Sequence, residues 1–238
     1  MNRLKNYLLA ATLLFPLFGF GQSPSDFNNQ IDVFFATHVS GGKVDYKTIE
    51  GNQATLNELL ELAQNVSLSS ASAAQVKAFW INAYNLAVIK GIVDNYPIKS
   101  PLDKKGFFDK TTYSLAGKKI TLNDIENNMI RPVYNDARIH FVLVCGANGC
   151  PPIINKAYKA ASLDSQLQEQ TKKALNNDTF IRVKGNKVQV SEIFKWYRED
   201  FMTSKSNLID YINQFRKTPI ATDAKVSYYT YDWKLNAQ

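Results

Sequence analysis

The sequence has few of the residues that most often build metal and catalytic sites. Its 238 residues include only two cysteines and two histidines, and it lacks the paired Cys-x-x-Cys and His-Glu-x-x-His spacings that bind metals. The histidines, His38 and His140, are too far apart in the chain to predict a zinc site. A glycine-rich phosphate loop is also missing. We therefore predict neither a metal nor another cofactor.

A dense basic segment is absent as well. The formal net charge is +7, but the lysines are scattered in pairs such as Lys104-Lys105 and Lys172-Lys173, without interleaved aromatic residues. Nucleic-acid-binding surfaces favour a concentrated basic stripe. We expect a solvated basic surface and no nucleic-acid partner.

Residues 1–21 have the pattern of a secretory signal peptide. Arg3 and Lys5 precede an apolar core, and small residues lead to a cleavage point near Gly21. The alternative, a retained membrane anchor, is weaker because Pro16 interrupts the core, which is shorter than the roughly 20 residues that span a bilayer. We predict cleavage, a periplasmic or secreted protein, and no stable membrane insertion afterwards.

Residues 22–238 are predicted to form a single domain. About 215 residues, from a chain that is 45% hydrophobic, provide ample material for a core. Helical patterns alternate with short extended runs, including a hairpin that turns at Gly185-Asn186. The predicted fold is α+β (mixed α/β), with a buried central helix packed on a small, mostly antiparallel sheet.

The central helix is predicted over residues 74–91. It is apolar on almost every face from 78 to 89, and Gly91 stands where a C-terminal cap is expected. Asn82 and Asn85 lie within it, and a buried unpaired amide costs about 1–3 kcal/mol. Both amides must therefore be hydrogen-bonded. They either hold neighbouring loop backbone or serve the site, by orienting a catalytic group or binding a substrate carbonyl.

Both cysteines and one histidine fall within residues 139–152. Residues 139–144 form an apolar, β-branched run that predicts a buried strand, and the run ends at Cys145, ahead of two glycines and two prolines. The pattern predicts a strand that delivers a thiol to a loop. In an exported protein, Cys145 and Cys150 can also form one disulfide.

Several short motifs along the chain occur in one particular order. They are Ala78 to Asn85, Ile125-Glu126, Arg138 to Phe141, Cys145-Gly146, Cys150 to Pro152, Phe194 to Tyr197, Asp200-Phe201 and Tyr231 to Asn236. Over about residues 30–236 the chain thereby resembles the Domain of Unknown Function 547 family (DUF547). The resemblance implies a fold similar to that of papain-like and transglutaminase-like cysteine enzymes, with a site made of a cysteine, a histidine and a carboxylate.

Chemistry gives independent reasons for such a site. A neighbouring imidazolium can lower the pKa of a thiol and make the thiolate nucleophile available. The predicted catalytic residues are Cys145 or Cys150 as nucleophile, His140 as base and Glu126 as the carboxylate that orients the histidine. Papain-like enzymes run from cysteine to histidine, whereas here the histidine precedes both cysteines, so the site would be a permuted or convergent version.

Four residues are predicted to bind substrate: Asn82, Asn85, Gly146 and Trp233. Gly146, like Gly149, permits a backbone N–H group to approach a developing oxyanion.

The predicted strand creates a geometric difficulty. Five extended residues at about 3.3 Å each would place His140 roughly 16 Å from Cys145. Either a bulge or bend breaks the strand, or the loop returns Cys150 to His140, or the histidine is structural.

Three functions are compatible with these patterns. The first is an exported cysteine hydrolase or acyl transferase that acts on a peptide-like or γ-glutamyl amide or thioester. The second is a domain that binds a peptide-like small molecule or a protein in an aromatic groove, with a structural Cys145–Cys150 disulfide. The third is a thiol redox protein, although its cysteine spacing is wider than the usual Cys-x-x-Cys.

Overall fold

The computed structural model describes residues 22–202 and 207–238. The predicted signal peptide, residues 1–21, lies outside the described residues. Within the described ranges, none of the helices combines the length and apolar character needed to cross a bilayer.

Helices and short strands alternate along the chain, as expected for an α+β fold. The α-helices are α1 (Pro24–His38), α2 (Tyr46–Gly51), α3 (Ala54–Gln64), α4 (Ala73–Val93), α5 (Leu122–Asp124), α6 (Arg131–Tyr134), α7 (Leu163–Leu175), α8 (Ile193–Trp196), α9 (Arg198–Met202) and α10 (Leu208–Asn213). A π-helical turn (Ile125–Ile130) joins α5 to α6, and 3₁₀ turns cover Pro101–Asp103, Ala137–Phe141 and Ala160–Ser162.

Within residues 22–202 and 207–238, the strands form three small sheets rather than one. They are β1 (Val39–Ser40), β2 (Lys43–Val44), β3 (Thr112–Leu115), β4 (Lys118–Thr121), β5 (Ile181–Lys184), β6 (Lys187–Ser191) and β7 (Lys225–Tyr229). Strands β1–β2, β3–β4 and β5–β6 pair antiparallel, and β7 joins β6 in parallel. The hairpin predicted at Gly185-Asn186 is confirmed, because β5 and β6 flank that turn.

The buried central helix is confirmed as α4, which extends the predicted bounds by one or two residues. Ser72 caps its first turn, accepting a hydrogen bond from the Gln75 backbone while the Gln75 side chain accepts from the Ser72 N–H. The main neighbours of α4 are α1, α2, α3 and the π-helical turn. The prediction that this helix packs on a small sheet is therefore wrong about its main neighbours. Helices cover most of it, which explains why it is apolar on almost every face.

The buried side chains of the described residues form two hydrophobic clusters. The helical cluster surrounds α4 and includes Phe27 and Phe79. The sheet cluster combines β5, β6 and α8 to α10, and includes Phe194 and Phe201. Cys150 packs against both clusters. The loop from Cys145 to Cys150, which we call the cysteine loop, therefore lies where the two clusters meet.

The buried strand predicted at residues 139–144 is wrong. Residues Ala137–Phe141 form a 3₁₀ helix, capped by the Asp136 side chain on the Arg138 N–H. The N–H groups of Val142 and Leu143 then donate to the Ile139 carbonyl. Backbone groups in this buried run are thus satisfied by local hydrogen bonds and by the Asn85 side chain, without a strand partner. The separation of roughly 16 Å expected for an extended chain no longer applies.

Candidate active site

Five of the predicted site residues line one cavity of about 220 Å³. They are Glu126, His140, Cys145, Cys150 and Trp233. We call this space the aromatic cavity, because Phe108, Trp196, Tyr197 and Tyr231 complete much of its wall. The site therefore brings together residues from several parts of the chain. These include the π-helical turn, the 3₁₀ helix Ala137–Phe141, the cysteine loop, α8 and the C-terminal segment that contains Tyr231 and Trp233.

The two cysteines are adjacent and free. Their Sγ atoms lie 2.6 Å apart, and both are unbridged thiols. The structural disulfide expected in the binding-domain alternative is therefore absent from the structure. The Tyr231 hydroxyl lies 2.9 Å from Cys150 Sγ and 3.1 Å from Cys145 Sγ, so one phenol group contacts both sulfurs.

The surroundings distinguish the two thiols. Burial raises the pKa of Cys150, but hydrogen bonds from the Cys145 thiol, the Tyr231 hydroxyl and backbone N–H groups outweigh it and lower that pKa below its ordinary value. The hydrogen bond to Cys150, together with burial, raises the pKa of Cys145 well above its ordinary value. Cys150 is therefore the sulfur that ionises first, with Cys145 as its hydrogen-bond donor.

The backbone of the cysteine loop also favours the Cys150 thiolate. The Cys145 N–H donates to Cys150 Sγ at 3.1 Å, and the Ala147 N–H adds a second backbone hydrogen bond. Between them Gly146 adopts a positive φ of 83°. Successive N–H groups around such a residue form an anion-binding nest. The loop thus stabilises negative charge on Cys150.

Gly146 contributes through this backbone shape rather than by lining the cavity. A Cβ atom there would collide with the Ile92 side chain, and the Gly146 carbonyl accepts a hydrogen bond from the Asn236 N–H at 3.0 Å. The Gly149 N–H donates to the Asp232 carbonyl at 2.8 Å. That N–H group is already used within the protein, which removes it as the predicted oxyanion donor.

His140 is paired with a carboxylate that the sequence reasoning did not select. Its Nε2 atom lies 2.7 Å from Oδ2 of Asp200, and its ring stacks on Tyr197 with centroids 4.0 Å apart. Asp200 also receives two hydrogen bonds from Arg131, at 2.7 and 3.1 Å. Burial raises the pKa of Asp200, but the bonds from His140 and Arg131 more than offset it, and the pKa falls well below its usual range.

Part of the chain that carries this site is similar to a known protein family. Residues 68–175 match the family model described as "Protein of unknown function, DUF547". This part of the chain is therefore similar to that family. No curated protein and no solved structure matches it. The matched DUF547 segment includes α4, His140, Cys145 and Cys150, and it ends before Asp200.

Glu126 lies in the DUF547 segment, but the structure pairs it differently from the prediction. It is on the π-helical turn and is hydrogen-bonded to the Tyr197 hydroxyl. Burial, reinforced by the Glu126 charge, raises the pKa of Tyr197. The carboxylate that orients His140 is thus Asp200, while Glu126 reaches the imidazole through the stacked Tyr197 ring. This corrects the predicted role of Glu126.

The other two predicted substrate-binding residues of the DUF547 segment do not line the cavity. Asn82 bonds the backbone of Tyr158 through both its amide nitrogen, at 2.8 Å, and its oxygen, at 2.9 Å. Asn85 donates to the Val142 carbonyl and accepts from the Val144 N–H, at 3.0 and 2.9 Å. These contacts match the alternative in which the amides hold neighbouring loop backbone. Asn85 thereby fixes the segment between His140 and Cys145.

Three functional residues lie in motifs of the family resemblance but had no predicted role: Tyr197, Asp200 and Tyr231. Tyr197 and Asp200 are three residues apart around the start of α9, a spacing that brings side chains to one side of a helical turn. This spacing is the sequence signal that could have placed Tyr197 and Asp200 in one site. Tyr231 has no comparable local pattern, because it reaches the sulfurs from a segment 81 residues beyond Cys150.

Aromatic rings form the remaining wall of the site. Trp196 and Trp233 stack with centroids 6.0 Å apart, and Trp233 also packs on Tyr231 at 4.7 Å. Trp196 remains 45% exposed, so this wall continues to the surface. Among the described residues, no cluster of three or more histidine, cysteine or acidic side chains is arranged to bind a metal.

Proposed function

We propose that this protein is an exported cysteine-dependent hydrolase or acyl transferase, with Cys150 as nucleophile, that acts on a peptide-like or γ-glutamyl amide or thioester. One observation carries the proposal: a thiol with a lowered pKa and an Asp200-oriented histidine line the same cavity. Nucleophilic catalysis needs this combination of an activated sulfur and a positioned acid–base group.

The chemistry assigns a task to each group. The Cys150 thiolate attacks the substrate carbonyl, forming an S–C bond and moving the carbonyl electron pair onto oxygen. When the tetrahedral intermediate collapses, the bond to the leaving group breaks and protonated His140 supplies the proton that an amine needs. Water, or an acceptor amine in a transferase, then loses its proton to His140 and displaces the sulfur.

Asp200 and Tyr231 support these steps without bonding to the reacting carbon. Asp200 holds His140 through Nε2, so the Nδ1 atom is the one available for proton transfer. Tyr231 and the loop N–H groups stabilise the thiolate between turnovers. Papain-like and transglutaminase-like enzymes use the same residue types, which supports the proposal through the family resemblance. Here the order along the chain is histidine, cysteine, aspartate.

The decisive experiment is to trap the acyl-enzyme. Protein from residue 22 onward would be incubated with peptide thioesters and γ-glutamyl and peptidyl nitroanilides, and the modified residue would be located by mass spectrometry. We expect acylation of Cys150, loss of turnover in Cys150→Ala, and retained turnover in Cys145→Ser. An unmodified Cys150 with every substrate, or a Cys150→Ala protein as active as the native one, contradicts the proposal.

A further inference from the structure

Cys150 lies on the wall of two depressions, not one. Besides the aromatic cavity, it lines a second space of about 340 Å³ bounded by the loop 148–152, the C-terminal end of α7 and strands β5 and β7. We call this space the polar cleft. Its wall includes Lys173, Asn177, Arg182 and Asp232. Cys150, which carries the proposed nucleophile, therefore lies between two depressions of different chemistry.

The aromatic cavity suits a single apolar group. Its volume of about 220 Å³ is below the roughly 300–1,000 Å³ of pockets that hold a whole drug-sized ligand. Trp196, Trp233 and Tyr231 supply flat apolar surfaces within ring-contact distance of one another. Such surfaces favour offset or edge-on packing of another ring. One aromatic side chain of a larger substrate fits this description.

The polar cleft instead offers two cationic side chains against one carboxylate. The Arg182 guanidinium is held over the Tyr229 ring at 3.8 Å, and its Nε donates to the Thr179 carbonyl at 3.0 Å. These contacts orient the guanidinium for paired hydrogen bonds to a carboxylate.

The other charged groups of the cleft leave this cationic character in place. Lys173 pairs with Glu169 across exposed side chains, and such a surface pair contributes little free energy, so a ligand can compete for the lysine. The carboxylate on the wall, Asp232, accepts a hydrogen bond from the Lys234 N–H.

We propose that the substrate is an extended, peptide-like chain that crosses Cys150, with an aromatic side chain in the aromatic cavity and a carboxylate-bearing group in the polar cleft. This inference rests on the proposed function, because it places the reacting bond at Cys150 between the two groups. The inference also excludes a substrate that ends at Cys150, because the protein has a recognition surface on each side of that residue.

Equilibrium binding to the Cys150→Ala protein tests this without turnover. The probes are capped peptides that contain phenylalanine and aspartate separated by glycine, in both orders, together with peptides in which alanine replaces either residue. Calorimetry should show that one order binds about tenfold more tightly than either singly substituted peptide. The preferred order also gives the direction in which the chain crosses the site.

Variants with a second substitution show which depression binds the phenylalanine and which binds the aspartate. In the Cys150→Ala protein, Trp233→Leu should remove the advantage of phenylalanine and leave that of aspartate, while Arg182→Gln should do the reverse. Lys184→Gln is the matched control, because Lys184 lies on the same strand as Arg182 and outside the cleft wall. Each variant is used only if its thermal midpoint stays close to that of the parent, and Trp196→Leu replaces Trp233→Leu if that protein fails to fold.

The outcomes separate this inference from the proposed function. Two additive binding contributions without turnover of any substrate by the native protein support the binding of an extended chain across both depressions and contradict the function. The function is supported and the inference is overturned if the protein turns over a substrate at a rate that neither Arg182→Gln nor the removal of the acidic residue from the substrate changes. Absence of binding by every peptide also overturns the inference.

Discussion

The Nε2 atom of His140 lies 2.7 Å from the Oδ2 atom of Asp200, sixty residues further along the chain. The contact joins the 3₁₀ helix at Ala137–Phe141 to α9, and Arg131 also holds this carboxylate, with its Nε atom 2.7 Å from the same Oδ2 atom. The imidazole is therefore fixed by a charged partner that is itself anchored. A histidine held in this way has a defined tautomer, as a general acid–base residue requires.

Asp200→Asn should lower kcat/KM by at least about 100-fold, because an amide holds the wrong imidazole tautomer and cannot stabilise the imidazolium. Glu126→Gln should cost less than about tenfold, since Glu126 contacts Tyr197 rather than His140. Steady-state kinetics on the best substrate checks both values, with thermal midpoints to confirm folding. A larger loss in Glu126→Gln than in Asp200→Asn would return the orienting role to Glu126.

Tyr231→Phe should slow alkylation of Cys150 by iodoacetamide about tenfold or more at pH 7. The lost hydrogen bond stabilises a charged acceptor, and such bonds are worth about 1.5–3 kcal/mol. Because that bond lowers the pKa of Cys150, its loss should move the pH profile of alkylation upward. Peptide mapping identifies which cysteine reacts.

Tyr228→Phe is the control for this measurement, because Tyr228 is a surface residue of β7. The role of Tyr231 is wrong if Tyr231→Phe and Tyr228→Phe share the native profile.

The central helix could be predicted because its signal is local. A surface that is apolar almost all round, the absence of proline and the glycine at position 91 are properties of neighbouring residues, and they located α4 to within two residues at each end. The helix was misplaced against a sheet because apolar character reports that a surface is buried, not what covers it. Neighbours such as α1 and α3 come from separate segments of the chain.

The run at 139–144 shows how burial can be mistaken for a strand. A short apolar run fits a buried strand and a buried helical turn equally well. What decides between them is where the backbone hydrogen bonds go, and here the Ile139 carbonyl and the Asn85 side chain satisfy them. The partners of His140 and Cys150 are similarly non-local. Asp200 and Tyr231 therefore could be included in motifs but not assigned to contacts.

Gly149→Ala should lower activity about tenfold or more. Gly149 has no positive φ that would strain an alanine, but a Cβ atom would lie 2.8 Å from carbon atoms of the Tyr231 ring. The ring must therefore move, and its hydroxyl moves away from both sulfurs. Turnover and iodoacetamide reactivity are the measurements.

Gly51→Ala is the matched control for Gly149→Ala, because a Cβ atom at Gly51 meets nothing within 4 Å. Equal activity in the two variants would show that the close approach of Gly149 to Tyr231 does not position the phenol.

Asp136→Asn should destabilise the protein by at least about 2 kcal/mol near pH 7. Burial raises the pKa of Asp136, but hydrogen bonds from Arg138 and Lys77 more than offset it and lower the pKa from 3.8 to about 2. Each unit of such a shift corresponds to about 1.4 kcal/mol, and the variant also leaves the buried Lys77 ammonium without its carboxylate partner, 2.6 Å away.

The direction of the Asp136 pKa shift determines how the contribution of Asp136 to stability depends on pH. Because the folded-state pKa of Asp136 is the lower one, its contribution is complete above the unfolded value near 4 and is lost as pH falls toward 2. Urea unfolding followed by tryptophan fluorescence should therefore show that the difference in the free energy of unfolding between native and Asp136→Asn proteins narrows over that interval.

Asp164→Asn is the control for Asp136→Asn. Asp164 bonds Arg138 at 2.8 Å, but its side chain is 86% exposed, so the variant should cost less than about 1 kcal/mol. A difference that stays constant from pH 5 to 2 would mean that the Asp136 charge does not hold this end of α4 to the 3₁₀ helix carrying His140.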